Sequence, residues 1–251
     1  MKKAALLILA FNLCVHGQAQ KDFTFTYSKI VLDSVYRQNP KNPLIKMIAP
    51  YKRLNDKKMN VVIGNAAQTM PIKRPQSLLS NFCTDVILQF VNQSQELPHA
   101  DLSLLNVGGI RTPLPQGDIT VGKMYEILPF ENKLVIITLK GNELQRMFDN
   151  FTDTTNQPCA NVQIVYRDHK PIKVLVGSQP IEPDSLYNIA TVDFIRNGGD
   201  SILPDDVYQI KKEQVKYTDI VMRNIVLNHI KALTEKGLSV SAELDNRVVV
   251  E

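Results

Sequence analysis

The stretch KLVIITLKGNELQRMFDNF, residues 133–151, changes its hydrophobic period in mid-course with no linker between the two patterns. Leu134 to Leu139 are apolar apart from Thr138, which reads as a strand. From Gly141 onward the apolar residues fall at Leu144, Met147, Phe148 and Phe151, the spacing of one helix face. A strand that passes straight into a helix demands a domain that mixes sheet and helix.

The rest of the chain agrees. Leu79, Phe82, Val86 and Phe90 place a helix over 76–92, and Met222, Val226, Ile230 and Leu233 place another near 213–236. Helices are also expected in SKIVLDSVYRQ and LIKMIAPYKRLNDK. Strands are expected in MNVVIGNA, DLSLLNV and LYNIATV, and an edge strand in NRVVVE. VQIVYR and KVLVG read as a hairpin joined through DHKPI. Strands and helices do not alternate strictly, so the expected class is α+β, a mixed β-sheet flanked by helices rather than a doubly wound parallel sheet.

The beginning of the chain reads differently. Lys2 and Lys3 precede AALLILAFNLCV, the length of a signal-peptide core and short for a bilayer span, and GQA at 17–19 offers a cleavage site. FNL before Cys14 is not a lipidation box. The expectation is a signal peptide over 1–19 and a soluble exported protein, periplasmic or extracellular, of 251 − 19 = 232 residues. Residues 20–58 form an N-terminal segment, and 59–251 the main domain. No later stretch has the length and hydropathy of a membrane span. The formal net charge of +4 falls to +2 without Lys2 and Lys3, and there is no basic block, so a nucleic-acid polymer is not an expected partner. Cys83 and Cys159 could pair in an oxidising compartment. The preferred reading makes Cys83 a small core residue on its helix face.

Three loops carry the chemistry, each at a strand edge: NVGGIRTPLP at 106–115, EILPFENKLV at 126–135 and DFIRNGGDS at 193–201. Taken singly they have ordinary explanations. A Gly pair after a strand is usually a turn, an Arg at a turn is usually solvated, and a Phe after a Pro usually anchors a loop. Taken together they hold the aromatics Phe130 and Phe194, two Gly pairs, and among their polar residues Arg111, Asn106, Asn197 and Asp200. Two rings can sandwich a base. A carboxylate can accept from vicinal sugar hydroxyls, and an Arg fork and free amides suit a phosphate.

These motifs in this order, NVGGIRTPLP, ILPFENKLVIITLKGNELQRMF and FIRNGGD, resemble the C-terminal, substrate-binding domain of the 5'-nucleotidase/UDP-sugar hydrolase family from about residue 59 to the end. The resemblance implies that Phe130 and Phe194 stack the base and that Asp200 binds the sugar hydroxyls. It also implies that Asn106 and Arg111 contact the ligand, with Gly108 and Gly109 shaping their loop and Asn197 and Gly199 completing the second. The family has a further Arg before an E-[ST]-x-L-G-N helix start. Here the text is IKRPQSLLSN, so Lys73 and Arg74 are both candidates for phosphate, while Gln76 and Ser80 replace the Glu and Gly. Ser201 stands where the family has a Gly followed by an aromatic.

The resemblance also implies a metallophosphoesterase domain with a dinuclear metal site, whose motifs this sequence lacks. Of four histidines, His16 is in the signal segment, and His99, His169 and His229 read as surface residues. No catalytic residue, metal ligand or bound cofactor is therefore expected on this chain. Divalent metals are expected only in a partner catalytic subunit, a separate metallophosphoesterase. The alternative expectation is a stand-alone nucleotide- or nucleoside-binding module.

Overall fold

The computed structural model describes residues 43–204, 207 and 214–251. The signal peptide expected over 1–19, the helix expected over SKIVLDSVYRQ, and residue 213 lie outside the described residues. The chain divides into two units, Met1–Pro50 and Tyr51–Glu251. Helix α1, Pro43–Met59, begins in the first, and everything that follows it belongs to the second.

The predicted apolar faces become the core. Leu79, Phe82, Cys83 and Val86 of α2 (Leu78–Gln93) are buried, as are Leu144, Met147 and Phe148 of α4 (Gly141–Asp149). β1 (Val62–Ala66) precedes α2, and between α2 and α4 along the chain lie β2 (Leu102–Leu104), β3 (Gly117–Thr120), α3 (Val121–Ile127) and β4 (Lys133–Lys140). Then come β5 (Cys159–Ala160), β6 (Val162–Arg167), β7 (Lys170–Val176), β8 (Gln179–Pro180), β9 (Leu186–Val192) and the single turn α5 (Asp193–Arg196). β10 (Val215–Val221), α6 (Met222–Glu235) and β11 (Val248–Val250) complete the described elements.

A five-stranded sheet has the order β10-β4-β9-β2-β5. In it β4 runs antiparallel to β9 and β10, while β2 runs parallel to β9. A four-stranded sheet, β11-β6-β7-β8, and the β1–β3 ribbon stand beside it. The fold is thus α+β with mixed sheets flanked by helices, as the periodicities require. β11 is an edge strand, parallel to β6. Gln76 ties the tail to the start of α2 by donating to the carbonyl of Asp245 at 2.9 Å. Ser77 and Ser80 form the capping box of α2. The two departures near this helix start therefore have local uses.

Three expectations need correction. Residues 215–221 are not helical. VKYTDIV is rich in β-branched residues, and it pairs with β4 at Val215↔Ile137 and Tyr217↔Val135, so the helix begins only at Met222. The hairpin turn is not DHKPI but Asp168-His169 alone, both left-handed at φ 49° and 64°, which lets β7 start at Lys170. That is the geometry of a two-residue hairpin turn without its usual Asn-Gly. His229 is half-buried, with its ring edge-on to Phe82 at 5.9 Å, and burial lowers its pKa. His99 and His169 are exposed as expected. Cys83 and Cys159 are free and buried, and burial pushes both thiols up to about 12, which leaves them protonated core residues.

Candidate functional site

Sheet topology brings the three loops to one edge. β9 and β2 are parallel neighbours, so the segments after Val192 and after Leu104 leave at the same end. β4 is antiparallel to β9 with Leu134 opposite Val192, so the segment before Lys133 arrives at that end too. Asp193 joins two of the loops, because its Oδ1 accepts from Phe194 N at 2.8 Å and from Lys133 N at 3.1 Å.

A cleft of about 230 Å³ results, lined by Asn106, Gly108, Arg111, Phe130, Asn132, Phe194 and Asp200. Both phenylalanine rings are substantially exposed, Phe130 at 47% and Phe194 at 40%. Neither is the core anchor that a Phe in such a loop usually is. Asn106 is buried and donates its Nδ2 to Asp200 Oδ2 at 2.9 Å, which orients the carboxylate and leaves its other oxygen free of that bond. Arg111 is exposed and commits one donor, Nη1, to Gly108 O at 3.2 Å, so the rest of its fork remains available. Asn132, which nothing in the sequence singles out, adds an amide between the aromatic and the strand.

The other expected residues support the cleft rather than line it. A Cβ at Gly109 would stand 2.8 Å from Asn106 Oδ1, so only glycine lets Asn106 lie over that backbone. A Cβ at Gly199 would overlap the ring of Phe194. Asn197 closes the α5 turn, its N–H bonded to Asp193 O at 2.9 Å. Lys73 is exposed, and Arg74 donates its Nε to Asn156 O at 3.1 Å; neither lines the cleft. Next to Asn156, Gln157 accepts from Val107 N at 3.0 Å and braces the Gly-pair loop.

Asp200 and Ser201 are left-handed, at φ 56° and 49°. An Asp tolerates this, and strain of this kind concentrates at functional sites. Ser201 gains nothing comparable. Relief of roughly 1–2 kcal/mol on going to glycine is offset by glycine's larger unfolded-state entropy of roughly 0.5–1 kcal/mol. Ser201→Gly should therefore raise the unfolding free energy by up to about 1 kcal/mol, a Tm rise of about 1–4 °C in a thermal melt. A lower Tm would contradict the strain.

Two exposed rings, a bonded carboxylate, an arginine fork and an amide thus share one sheet edge. The family description "5'-nucleotidase, C-terminal domain" matches residues 62–205, more than half of the chain. The chain belongs to this family. Among its relatives, Protein UshA of Yersinia enterocolitica is 23% identical over 180 residues, covering 70% of this chain and 32% of UshA. An apyrase of Tabanus yao is 26% identical over 147 residues, covering 49% of this chain and 26% of the apyrase. The chain thus spans about a third or less of the length of these relatives. The crystal structure of a 5'-nucleotidase precursor from Thermus thermophilus superposes with a TM-score of 0.70 at 25% identity, over 84% of this chain and 44% of that one.

Among the described residues no three His, Cys, Asp or Glu side chains come together as metal ligands. The described part of this 5'-nucleotidase C-terminal domain thus offers no clustered donor set for a metal ion. Nor is any described helix long and apolar enough to cross a membrane.

Proposed function

We propose that this domain is an exported nucleotide-binding subunit of nucleotide catabolism. It holds a nucleotide or related phosphoester for hydrolysis by a separate metallophosphoesterase, which carries the divalent metals. The observation that carries this reading is the convergence of exposed Phe130 and Phe194 with Asp200 and Arg111 on one cleft. The rings take the two faces of the base, and Asn132 meets its polar edge. Asp200, held by Asn106, accepts from the sugar hydroxyls. The free part of the Arg111 fork donates to phosphate oxygens. The domain contributes orientation, and the bond-making chemistry belongs to the metals of the partner.

The test is reconstitution. Phosphate release from mononucleotides, cyclic nucleotides and UDP-sugars is followed with the chain alone, with each exported metallophosphoesterase of the same organism alone, and with the two mixed in the presence of Mn²⁺. The mixture should exceed the sum of its parts by about tenfold or more for one ligand class, since positioning alone supplies effects of that size. The gain should disappear when the chain carries both Phe130→Ala and Phe194→Ala. Binding without any gain in hydrolysis would replace this reading with that of a stand-alone binding module.

A further inference from the structure

Arg223 heads the fully buried side chains by volume and is only 2% exposed, although it carries a permanent charge. A guanidinium so placed is costly unless its donors are used. Nη1 donates to the carbonyl of Leu128 at 2.9 Å and to that of Phe130 at 3.3 Å, and Nη2 donates to the carboxylate of Glu131. The guanidinium carbon lies 3.8 Å from the centroid of the Tyr125 ring, within cation–π range. Its Nε has no partner. All of these partners fall between residues 125 and 131, the end of α3 and the loop that carries Phe130 into the cleft. The preceding residue on α6, Met222, donates its N–H to Asn132 O at 2.9 Å. The head of α6 therefore grips the backbone on both sides of a ring that is itself 47% exposed and so has little packing of its own to hold it.

We infer that Arg223 is a positioning residue for Phe130: it fixes the height and angle of that ring and so sets affinity for the base, but not for the sugar or the phosphate. The inference rests on the nucleotide reading of the cleft given above. A lysine at this position keeps the charge but cannot reach two carbonyls and a carboxylate in one plane.

The chain has no tryptophan, so Phe130→Trp introduces a single fluorescent reporter. Without any ligand, adding Arg223→Lys should about double the acrylamide quenching of that indole and lower its anisotropy, as expected when a buried network is broken. The same substitution should leave the indole of a Phe194→Trp chain unchanged. Glu131→Gln, at a residue whose side chain is 72% exposed, removes the charge but keeps a carbonyl acceptor for Arg223, and it should move the Phe130→Trp signal in the same direction by less. With ligand, Arg223→Lys should weaken AMP by about fivefold or more, within the range for a lost stacking ring. Ribose 5-phosphate, which has no base, should change by less than about twofold. In a Phe130→Ala background the AMP loss should vanish. Equal movement of both indoles, equal weakening of both ligands, or an AMP loss that persists without Phe130 would make Arg223 a purely structural residue. Failure of the unmodified chain to bind AMP or any nucleotide would instead strike the cleft reading, and the ligand-free indole measurements would still decide the role of Arg223.

Discussion

Phe130→Ala and Phe194→Ala should each weaken nucleotide binding by about 1–3 kcal/mol, the usual worth of an aromatic stacked on a base. The unfolding free energy should change by less than about 1 kcal/mol, because half-exposed side chains outside the core seldom exceed that. The exposures of 47% and 40% separate these rings from Phe148, which is fully buried on α4. Phe148→Ala leaves a cavity and should cost about 3–5 kcal/mol of stability. Calorimetric titration and urea unfolding on the same three variants give the contrast directly. A stability loss of the Phe148 kind at Phe130 or Phe194, with affinity intact, would make both rings core residues and remove the cleft.

Gly199→Ala should lose most of what Phe194→Ala loses. The added Cβ would overlap three atoms of the Phe194 ring, Cδ1, Cε1 and Cζ, so the ring must turn out of its present place. The backbone there is a tight turn, with Gly199 followed by left-handed Asp200 and Ser201, and a shift of it would also move the carboxylate of Asp200. An affinity loss of about 1–2 kcal/mol follows, within the range for a displaced stacking ring. The two substitutions should not add, since residues in contact act as one unit. If the double variant loses the full sum, Gly199 acts on the ligand by another route.

Much of this was legible in the sequence, and the exceptions have physical causes. The core faces of α2, α4 and α6 follow from spacing alone, because a helix that buries one stripe must repeat it every three or four residues. β10 was hidden because its stabilisation is not local: β4 supplies the hydrogen bonds, and nothing near residue 215 announces that pairing. β3 and α3 are short and weakly periodic, and no expectation covered them. The types of residue in the cleft could be read from the three loops. Their convergence could not, because it depends on β4, β9 and β2 lying side by side with the polarity they have. Asn132 and Asp193 carry no signal of their own in the sequence for the same reason: a polar residue beside a strand end is ordinary until the neighbouring strand is known. Arg223 carries a misleading signal, since an Arg at the head of a helix is normally solvated, and only the fold shows it buried under the Phe130 loop.

The most direct test is thermal unfolding of the purified chain, without added metal, against a panel of nucleotides and nucleosides, beside the Phe130→Ala/Phe194→Ala double variant. A ligand at about 100 times its Kd adds about 2.7 kcal/mol. For a chain of this size that raises Tm by about 5–10 °C. The predicted result is such a rise for one class of base or sugar in the unmodified chain, and its loss in the double variant. No rise with any ligand, or a rise that the double variant keeps in full, would contradict a nucleotide cleft built on Phe130 and Phe194.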